Sequence, residues 1–167
     1  MSTATNIILT SLQVQQKIRR IAYQIYENNS NEKEIVLAGI ASNGYVFATE
    51  IEKHLLKIST LKVTMCKVVM DKKNPLSPIE TSVDIQQYQN KSLVLVDDVL
   101  NSGATLIYGI KHFLEVPLKR FKTAVLVNRN HKKYPVKADF KGISLSTTLQ
   151  EHVVVEFDKK EAIAYLQ

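Results

Sequence analysis

Residues 93–105 read LVLVDDVLNSGAT, the clearest strand-to-helix segment in the chain. Four apolar residues, Leu93 to Val96, favour a buried strand that we expect to end at two adjacent acids, Asp97 and Asp98. After a turn, residues 104–114 carry apolar side chains at helical spacing. The stretch therefore predicts one strand, a short polar turn and one helix.

The polar turn has a composition suited to a phosphorylated sugar. Two neighbouring acids are costly to bury unless a partner pairs with them, so we expect them to face hydroxyl groups or a cation. In the turn Asn101 to Thr105, Gly103 allows a close backbone approach, and the free N–H groups of the following helix attract an anion. Either half alone is more often structural, but together they predict a site for ribose 5-phosphate.

The rest of the chain predicts strands that alternate with helices. Thr10 and Gln13 resemble a capping box at the start of a first helix, residues 11–28. We expect further strands at 34–40, 61–69, 122–127 and 153–157, a helix at 45–56, and a long irregular segment at 70–90. This order implies a largely parallel sheet, with ligand-binding loops at 41–44, 70–90, 97–104 and 128–133.

Composition limits the class of protein. The 167 residues, with 45% hydrophobic and 23% charged side chains, fit a single domain spanning 1–167. No apolar run is long enough to span a membrane, and the N-terminus does not resemble a secretory signal, so we expect a cytoplasmic protein. Cys66 is the single cysteine and is expected to be a reduced core thiol. The net charge of +6 favours anionic partners.

The segment LVLVDDVLNSGATL resembles the motif that binds 5-phosphoribosyl 1-pyrophosphate (PRPP) in type I phosphoribosyltransferases. The stretches QKIRRIAYQI, VLAGIASNGYVFA, AVLVNRNHKKYPVKADFKGISLST and HVVVEFD look like successive segments of the pyrimidine operon attenuator/uracil phosphoribosyltransferase family. This resemblance implies the α/β type I phosphoribosyltransferase fold, a mainly parallel sheet flanked by helices with a small C-terminal hood.

The resemblance also implies roles for individual residues. Asp97 and Asp98 would act in catalysis by holding the ribose hydroxyls. The 5-phosphate would be bound by Asn101, Ser102, Gly103, Ala104 and Thr105, and pyrophosphate by the loop of Ala41, Ser42, Asn43 and Gly44. The base would lie under a hood formed by Arg129, Phe140 and Lys141. Mg²⁺ would be held mainly by PRPP.

Several residues differ from the family pattern. Purine-using relatives carry an aspartate, which acts on the base, where this chain has Asn101. The attenuator family carries an arginine where this chain has Asn43. In the 70–90 segment the family's Tyr-Arg-Asp-Asp signature has no clear match, and Lys72 or Lys73 is a candidate substitute for its arginine; the alternative is a solvated surface charge.

Two functions from different classes follow from the resemblance. The first is a Mg²⁺-dependent enzyme that joins PRPP to a nucleobase, with uracil as the best candidate. The second is a nucleotide-sensing regulator that binds RNA and catalyses little. Residues 111–141 contain nine Lys and Arg against two acids, which is typical of an ordinary solvated face or, given the resemblance, of an RNA-binding surface. We expect a homo-oligomer, a dimer or larger. A phosphate-binding G-x-x-x-x-G-K-[ST] loop is absent, which disfavours a P-loop protein.

Overall fold

Two β-sheets and four helices form the described part of the chain. The computed structural model describes residues 6–158 and 161–167. The helices are α1 (Ser11–Asn28), α2 (Asn43–Ile58), α3 (Ile85–Tyr88) and α4 (Ala104–Phe113). The strands are β1 (Asn6–Leu9), β2 (Glu34–Ile40), β3 (Lys62–Val69), β4 (Glu80–Thr81), β5 (Ser92–Leu100), β6 (Arg120–Arg129), β7 (Phe140–Leu145), β8 (Val153–Phe157) and β9 (Ala162–Leu166).

The main sheet has six strands in the order β4-β3-β2-β5-β6-β7. Its strands pair in parallel except for β4, which is antiparallel to β3. The central strand β5 is buried on both faces, because Val94 and Val96 join one hydrophobic cluster while Leu93 and Leu95 join the other. A continuous apolar run is what such a strand requires, so the prediction of a mainly parallel sheet is confirmed.

The order of the strands opens a crevice at one edge of this sheet. Strand β2 has β3 on one side and β5 on the other, so the chain leaves β2 and β5 in opposite directions. Loops that diverge in this way leave a gap beyond the carboxyl ends of the two strands. The segments that meet there are residues 41–42 and 101–103.

Helix α1 begins and ends where the sequence predicts. The Thr10 hydroxyl accepts from the Gln13 backbone N–H at 3.3 Å, and the Gln13 side chain accepts from the Thr10 N–H at 3.0 Å, which completes the capping box. One face of the helix is buried, with Val14, Ile18, Ile21, Ala22 and Ile25 in the core.

Among the described residues, no helix combines the length and apolar character needed to cross a membrane.

Strand β5 continues through the acid pair, so the expected end at Val96 is wrong. Asp97 pairs with Val125 of β6 and Leu100 pairs with Asn128. The carboxylates fit within the strand because each takes up a neighbouring backbone N–H. Asp97 accepts from the Asp98 N–H at 2.9 Å, and Asp98 accepts from the next N–H along the chain, also at 2.9 Å.

A second, small antiparallel sheet has the order β1-β9-β8. It forms the expected hood, but one of its strands comes from the N-terminal end, with Asn6 opposite Leu166. The sequence did not predict β1, β7 or β9, nor β4 and α3 within the 70–90 segment that was expected to be irregular. The small sheet packs on α2, where the rings of Phe47 and Phe157 stack with centroids 6.3 Å apart. This contact brings the sheet close to the crevice.

Candidate active site

A cavity of about 240 Å³ lies at the carboxyl end of β5. Most of its lining comes from the segment that the sequence singled out, and Lys72, Val125 and Val153 approach from other parts of the chain. From the segment itself the cavity is lined by Asp97, Asp98, Val99, Leu100, Asn101, Ser102, Gly103, Thr105 and Leu106. The structure therefore brings the predicted ribose and phosphate residues together on one cavity, apart from Ala104, which does not line it.

One acid of the pair at this cavity, Asp97, is strongly shielded from water. Asp97 is only 3% exposed, while Asp98 is half-buried. Burial, together with the negative charge of Asp98, raises the pKa of Asp97 to about 7, against the opposing effect of Lys72. The Lys72 ammonium lies 3.5 Å from the Asp97 carboxylate. Asp97 can therefore exchange a proton near neutral pH, and Lys72 is part of the site.

The segment Asn101 to Thr105 forms a backbone cradle at the start of α4. Gly103 has φ of 88°, a conformation that favours glycine, and a Cβ there would lie 2.5 Å from Val136 Cγ1. The Ser102 hydroxyl accepts from the Ala104 N–H at 3.2 Å, and its carbonyl accepts from the Lys133 N–H at 2.8 Å. The N–H groups of the first helical turn are thus held in place beside the cavity, as an anion site requires.

The loop between β2 and α2 lies against the acid pair without lining the cavity. The peptide bond between Ala41 and Ser42 is cis. A Cβ on Gly44 would meet the Val96 carbonyl oxygen at 2.8 Å and an Asp97 carboxylate oxygen at 3.0 Å, so glycine permits this close approach. The chain thus places the predicted pyrophosphate loop directly beside the predicted ribose acids.

Asn43 connects three parts of the site. Its amide N–H₂ donates to the Asp98 carboxylate at 3.1 Å and to the Val155 carbonyl of β8 at 2.8 Å. The side chain therefore links the β2–α2 loop, the acid pair and the small sheet. The resemblance assigned Asn43 to the pyrophosphate loop, at the position of the family's arginine, and gave no sign of this link.

Arg129 lies at the carboxyl end of β6 and is 7% exposed. Its guanidinium donates to the Asn101 side chain at 3.2 Å, to the Thr147 hydroxyl at 2.8 Å and to the Thr148 carbonyl at 3.1 Å. His131 also contacts the Thr147 carbonyl through Nε2. Arg129 therefore joins the phosphate cradle to the β7–β8 connection, a contact that no local pattern in the sequence indicates.

Phe140 and Lys141 lie in the main sheet, not in the hood where the resemblance placed them. Phe140 is buried in the core and pairs with Ala124 of β6, well before the carboxyl end of that strand at Arg129. Lys141 is exposed, and its carbonyl accepts from Arg20 at 2.9 Å. Neither residue lines the cavity, and neither does Arg129, the third predicted hood residue, which belongs to β6 of the main sheet. Val153 of β8 occupies the hood side of the cavity instead.

The basic region 111–141 does not form one continuous surface. Lys119 pairs with Glu32 at 2.9 Å, and Arg120 donates to the Asn28 carbonyl. Arg129 is buried at the site. The exposed lysines that remain closest together in the chain are Lys132, Lys133 and Lys137 in the β6–β7 connection, followed by Lys141.

This fold and this cavity define a class of protein, the type I phosphoribosyltransferases. The family model described as the phosphoribosyl transferase domain matches residues 4–160. The chain therefore belongs to the phosphoribosyltransferase family and is a PRPP-dependent pentosyltransferase.

Curated relatives match along nearly the whole chain. The Bifunctional protein PyrR of Streptococcus mutans is 33% identical over 97% of this chain and 96% of its own length. The Bifunctional protein PyrR of Fusobacterium nucleatum is 32% identical over 99% of this chain and 100% of its own length. The resemblance to the attenuator family is thereby confirmed.

Solved structures confirm the fold. A hypoxanthine-guanine phosphoribosyltransferase from Bacillus anthracis superposes with a TM-score of 0.77 at 21% identity, covering 97% of this chain and 98% of its own. The hypoxanthine phosphoribosyltransferase of Trypanosoma cruzi in complex with IMP gives 0.81 at 16% identity, covering 100% and 92%. At these identities the likeness concerns the fold alone.

Proposed function

We propose that the chain transfers the 5-phosphoribosyl group of PRPP to uracil, giving UMP and pyrophosphate. The observation that carries this proposal is that an acid pair and a backbone anion cradle face one cavity of about 240 Å³. The two features suit the two ends of ribose 5-phosphate. The likeness to the attenuator/uracil family, over nearly the whole chain, favours uracil as the base.

In this reaction a ring nitrogen of the base forms a bond to C1′ of the ribose. The bond between C1′ and the pyrophosphate oxygen breaks, and positive charge develops on the ribose. Asp97 and Asp98 would hold the ribose hydroxyls and offset that charge in a site shielded from water. The segment 101–105 would fix the 5-phosphate and so set the position of C1′.

The leaving pyrophosphate would be bound by the loop 41–44. Backbone N–H groups at the start of α2 would supply donors there. Lys72 is the cation that lines the cavity from the 70–90 segment, and it would contribute charge next to the leaving group. Asn43 carries no charge, so its contribution would be to hold the loop against Asp98.

Magnesium fits the donor set of this cavity. Mg²⁺ prefers oxygen ligands, and Asp97 and Asp98 supply carboxylate oxygens beside those that PRPP would bring. Among residues 6–158 and 161–167, no group of three or more His, Cys, Asp or Glu could hold a metal ion by itself. Mg²⁺ would therefore be held mainly by PRPP. When bound, Mg²⁺ would make pyrophosphate a better leaving group.

The proposal is tested by incubating the chain with PRPP, Mg²⁺ and one base at a time, and by measuring the pyrophosphate released. We expect release with uracil, and loss of at least about a hundredfold in kcat for Asp98→Asn. Turnover with hypoxanthine or guanine and none with uracil would contradict the choice of base. If no base led to release of pyrophosphate, catalysis would be contradicted.

A second candidate function is RNA binding coupled to nucleotide sensing. The observation that favours it is the exposed group Lys132, Lys133 and Lys137 in one connection of the main sheet. Relatives named as bifunctional proteins also support two functions in one chain. Lysines of this kind would contact phosphates, so binding would weaken steeply with salt.

Charge reversal separates this candidate from the enzyme. The double variant Lys132→Glu and Lys133→Glu should weaken the binding of a structured RNA hairpin at least about tenfold at low salt. Its turnover of PRPP should be unchanged, because neither side chain lines the cavity. Lys53→Glu with Lys57→Glu on α2 is a matched control. Equal RNA binding by both double variants would count against an RNA surface in this connection.

A further inference from the structure

Lys67 is an exposed lysine of β3 whose charge has no carboxylate partner. Throughout residues 6–158 and 161–167, no carboxylate forms an ion pair with it. Its ammonium lies instead 5.8 Å from the centroid of the Tyr45 ring. The face of an aromatic ring attracts a cation without neutralising it. The positive charge of Lys67 therefore remains available to an anion.

Packing sets Lys67 beside the first turn of α2. In the sheet Lys67 pairs with Gly39 of β2. A Cβ on Gly39 would lie 2.5 Å from Cα of Tyr45 and 2.8 Å from the carbonyl oxygen of Gly44, so the start of α2 rests directly on Gly39. Met65 packs against the same hydrophobic cluster as α2, and strand alternation puts Lys67 on that face as well. Lys67 and the start of α2 are therefore neighbours on one face of the sheet.

The contact with Tyr45 lies at the end of α2 that the loop 41–44 enters. Side chains of a helix lean towards its N-terminus, so the Tyr45 ring and the ammonium beside it lie towards this loop. Ser42 makes no side-chain hydrogen bond that would cap the helix, so the N–H groups of its first turn stay open. A cation beside the positive end of a helix is unfavourable unless an anion lies nearby. The loop and Lys67 therefore present positive charge to the same place.

The charges nearby favour Lys67 as the cation for the leaving group. The loop 41–44 contains no charged residue. Lys72 lines the cavity, but its ammonium is 3.5 Å from the Asp97 carboxylate and is already paired. Lys67 does not line the cavity, and neither does the loop 41–44. Its position thus suits the group that leaves the ribose, and not the ribose or its 5-phosphate.

We propose that Lys67, held by the ring of Tyr45, binds the pyrophosphate group of PRPP at the loop 41–44. The proposal rests on the proposed function and adds the cation that this loop lacks. The ammonium offsets the negative charge that develops on pyrophosphate as its bond to C1′ breaks. Lys67 then strengthens the binding of PRPP and of inorganic pyrophosphate, but not that of UMP, which has no pyrophosphate group.

The test measures affinity, so it does not depend on turnover. Mg²⁺–pyrophosphate, Mg²⁺–PRPP and UMP are titrated calorimetrically into the original chain and into Lys67→Met, which keeps an unbranched side chain and removes the charge. Loss of one hydrogen bond from a charged donor should weaken the binding of pyrophosphate and PRPP about tenfold. The affinity for UMP should be unchanged, which also shows that the variant is folded.

Lys62→Met is the matched control, because Lys62 is also an exposed lysine of β3 but lies at the opposite end of the strand. Its removal lowers the net charge by the same amount and should leave all three affinities unchanged. Lys67→Arg should retain most of the affinity for pyrophosphate, since a guanidinium carries the same charge and also stacks on an aromatic ring.

Two variants of Tyr45 test how Lys67 is held. Tyr45→Phe keeps the ring and should bind PRPP like the original chain. Tyr45→Leu removes the ring and should weaken the binding of PRPP about threefold. In a Lys67→Met background the same substitution should have no further effect, because the ring acts through the ammonium.

The outcomes separate this inference from the proposed function. Weaker binding of pyrophosphate and PRPP by Lys67→Met, with UMP binding intact, supports the inference even if no base leads to release of pyrophosphate. Equal affinity of Lys67→Met and the original chain for pyrophosphate overturns it, even if uracil is an excellent substrate. An equal loss for UMP, or the same loss in Lys62→Met, also overturns it, because the effect would then be one of net charge. Failure of both Mg²⁺–pyrophosphate and Mg²⁺–PRPP to bind the original chain overturns it too.

Discussion

Asp97→Asn should make the protein more stable, although it removes a residue that we place in the active site. Asp97 is 3% exposed and lies next to Asp98. Its pKa is raised from 3.8 to about 7, by burial first and by Asp98 second. Asparagine keeps the side-chain oxygen that accepts from the Asp98 N–H and carries no charge to desolvate.

The direction in which stability changes with pH follows from proton binding by Asp97. Between pH 4 and pH 7 the folded protein holds a proton on Asp97 that the unfolded chain has lost. Stability therefore falls as pH rises through this window, and the full penalty is present above it. A difference of roughly three between the two pKa values corresponds to about 4 kcal/mol.

Urea unfolding without PRPP or Mg²⁺ measures this penalty. The free energy of unfolding of Asp97→Asn should exceed that of the original chain by about 4 kcal/mol at pH 8 and by less than about 2 kcal/mol at pH 5. The control Glu27→Gln, which removes an exposed carboxylate from α1, should change stability by less than about 0.5 kcal/mol at either pH. A gain that is the same at both pH values, or no gain at pH 8, would refute the reasoning.

Three other perturbations have outcomes set by single contacts. Gly103→Ala should cost more than about 1 kcal/mol of unfolding free energy in urea, because φ is 88° and the new Cβ would lie 2.5 Å from Val136 Cγ1; an unchanged midpoint would contradict this. Asn43→Ala should cost about 1 to 2 kcal/mol through the lost bonds to Asp98 and Val155, and a loss below about 0.3 kcal/mol would count against the link. The thiol of Cys66 is buried with its pKa raised to about 11, so an aromatic disulfide reagent should label it at least about a hundredfold more slowly in buffer than in urea; equal rates would show the thiol to be accessible.

Local chemistry explains what the sequence could predict. The capping box at Thr10 and Gln13 and the glycine turn at Gly103 each depend on residues a few positions apart. The apolar run 93–96 predicted the central strand for the same reason. The end of that strand was misjudged because two acids normally indicate an exposed turn, whereas here each carboxylate is satisfied by a neighbouring N–H.

The unpredicted features depend on distant partners. Strand β1 forms only because Asn6 meets Leu166 at the other end of the chain. Phe140 belongs to β7 because that strand pairs with β6 partway along its length. The partners of Arg129 come from separate segments of the chain, so a local pattern could not assign its role.

The central claim is that the cavity at the carboxyl end of β5 binds PRPP, and a thermal unfolding titration with Mg²⁺ tests it most directly. At about a hundred times the dissociation constant, PRPP should stabilise the chain by about 2.7 kcal/mol, which corresponds to a rise in Tm of roughly 5 to 10 °C. Thr105→Glu places a negative charge in the phosphate cradle and should abolish this rise, while Glu27→Gln should retain it. No rise in the original chain at millimolar PRPP, or an equal rise in Thr105→Glu, would contradict the claim.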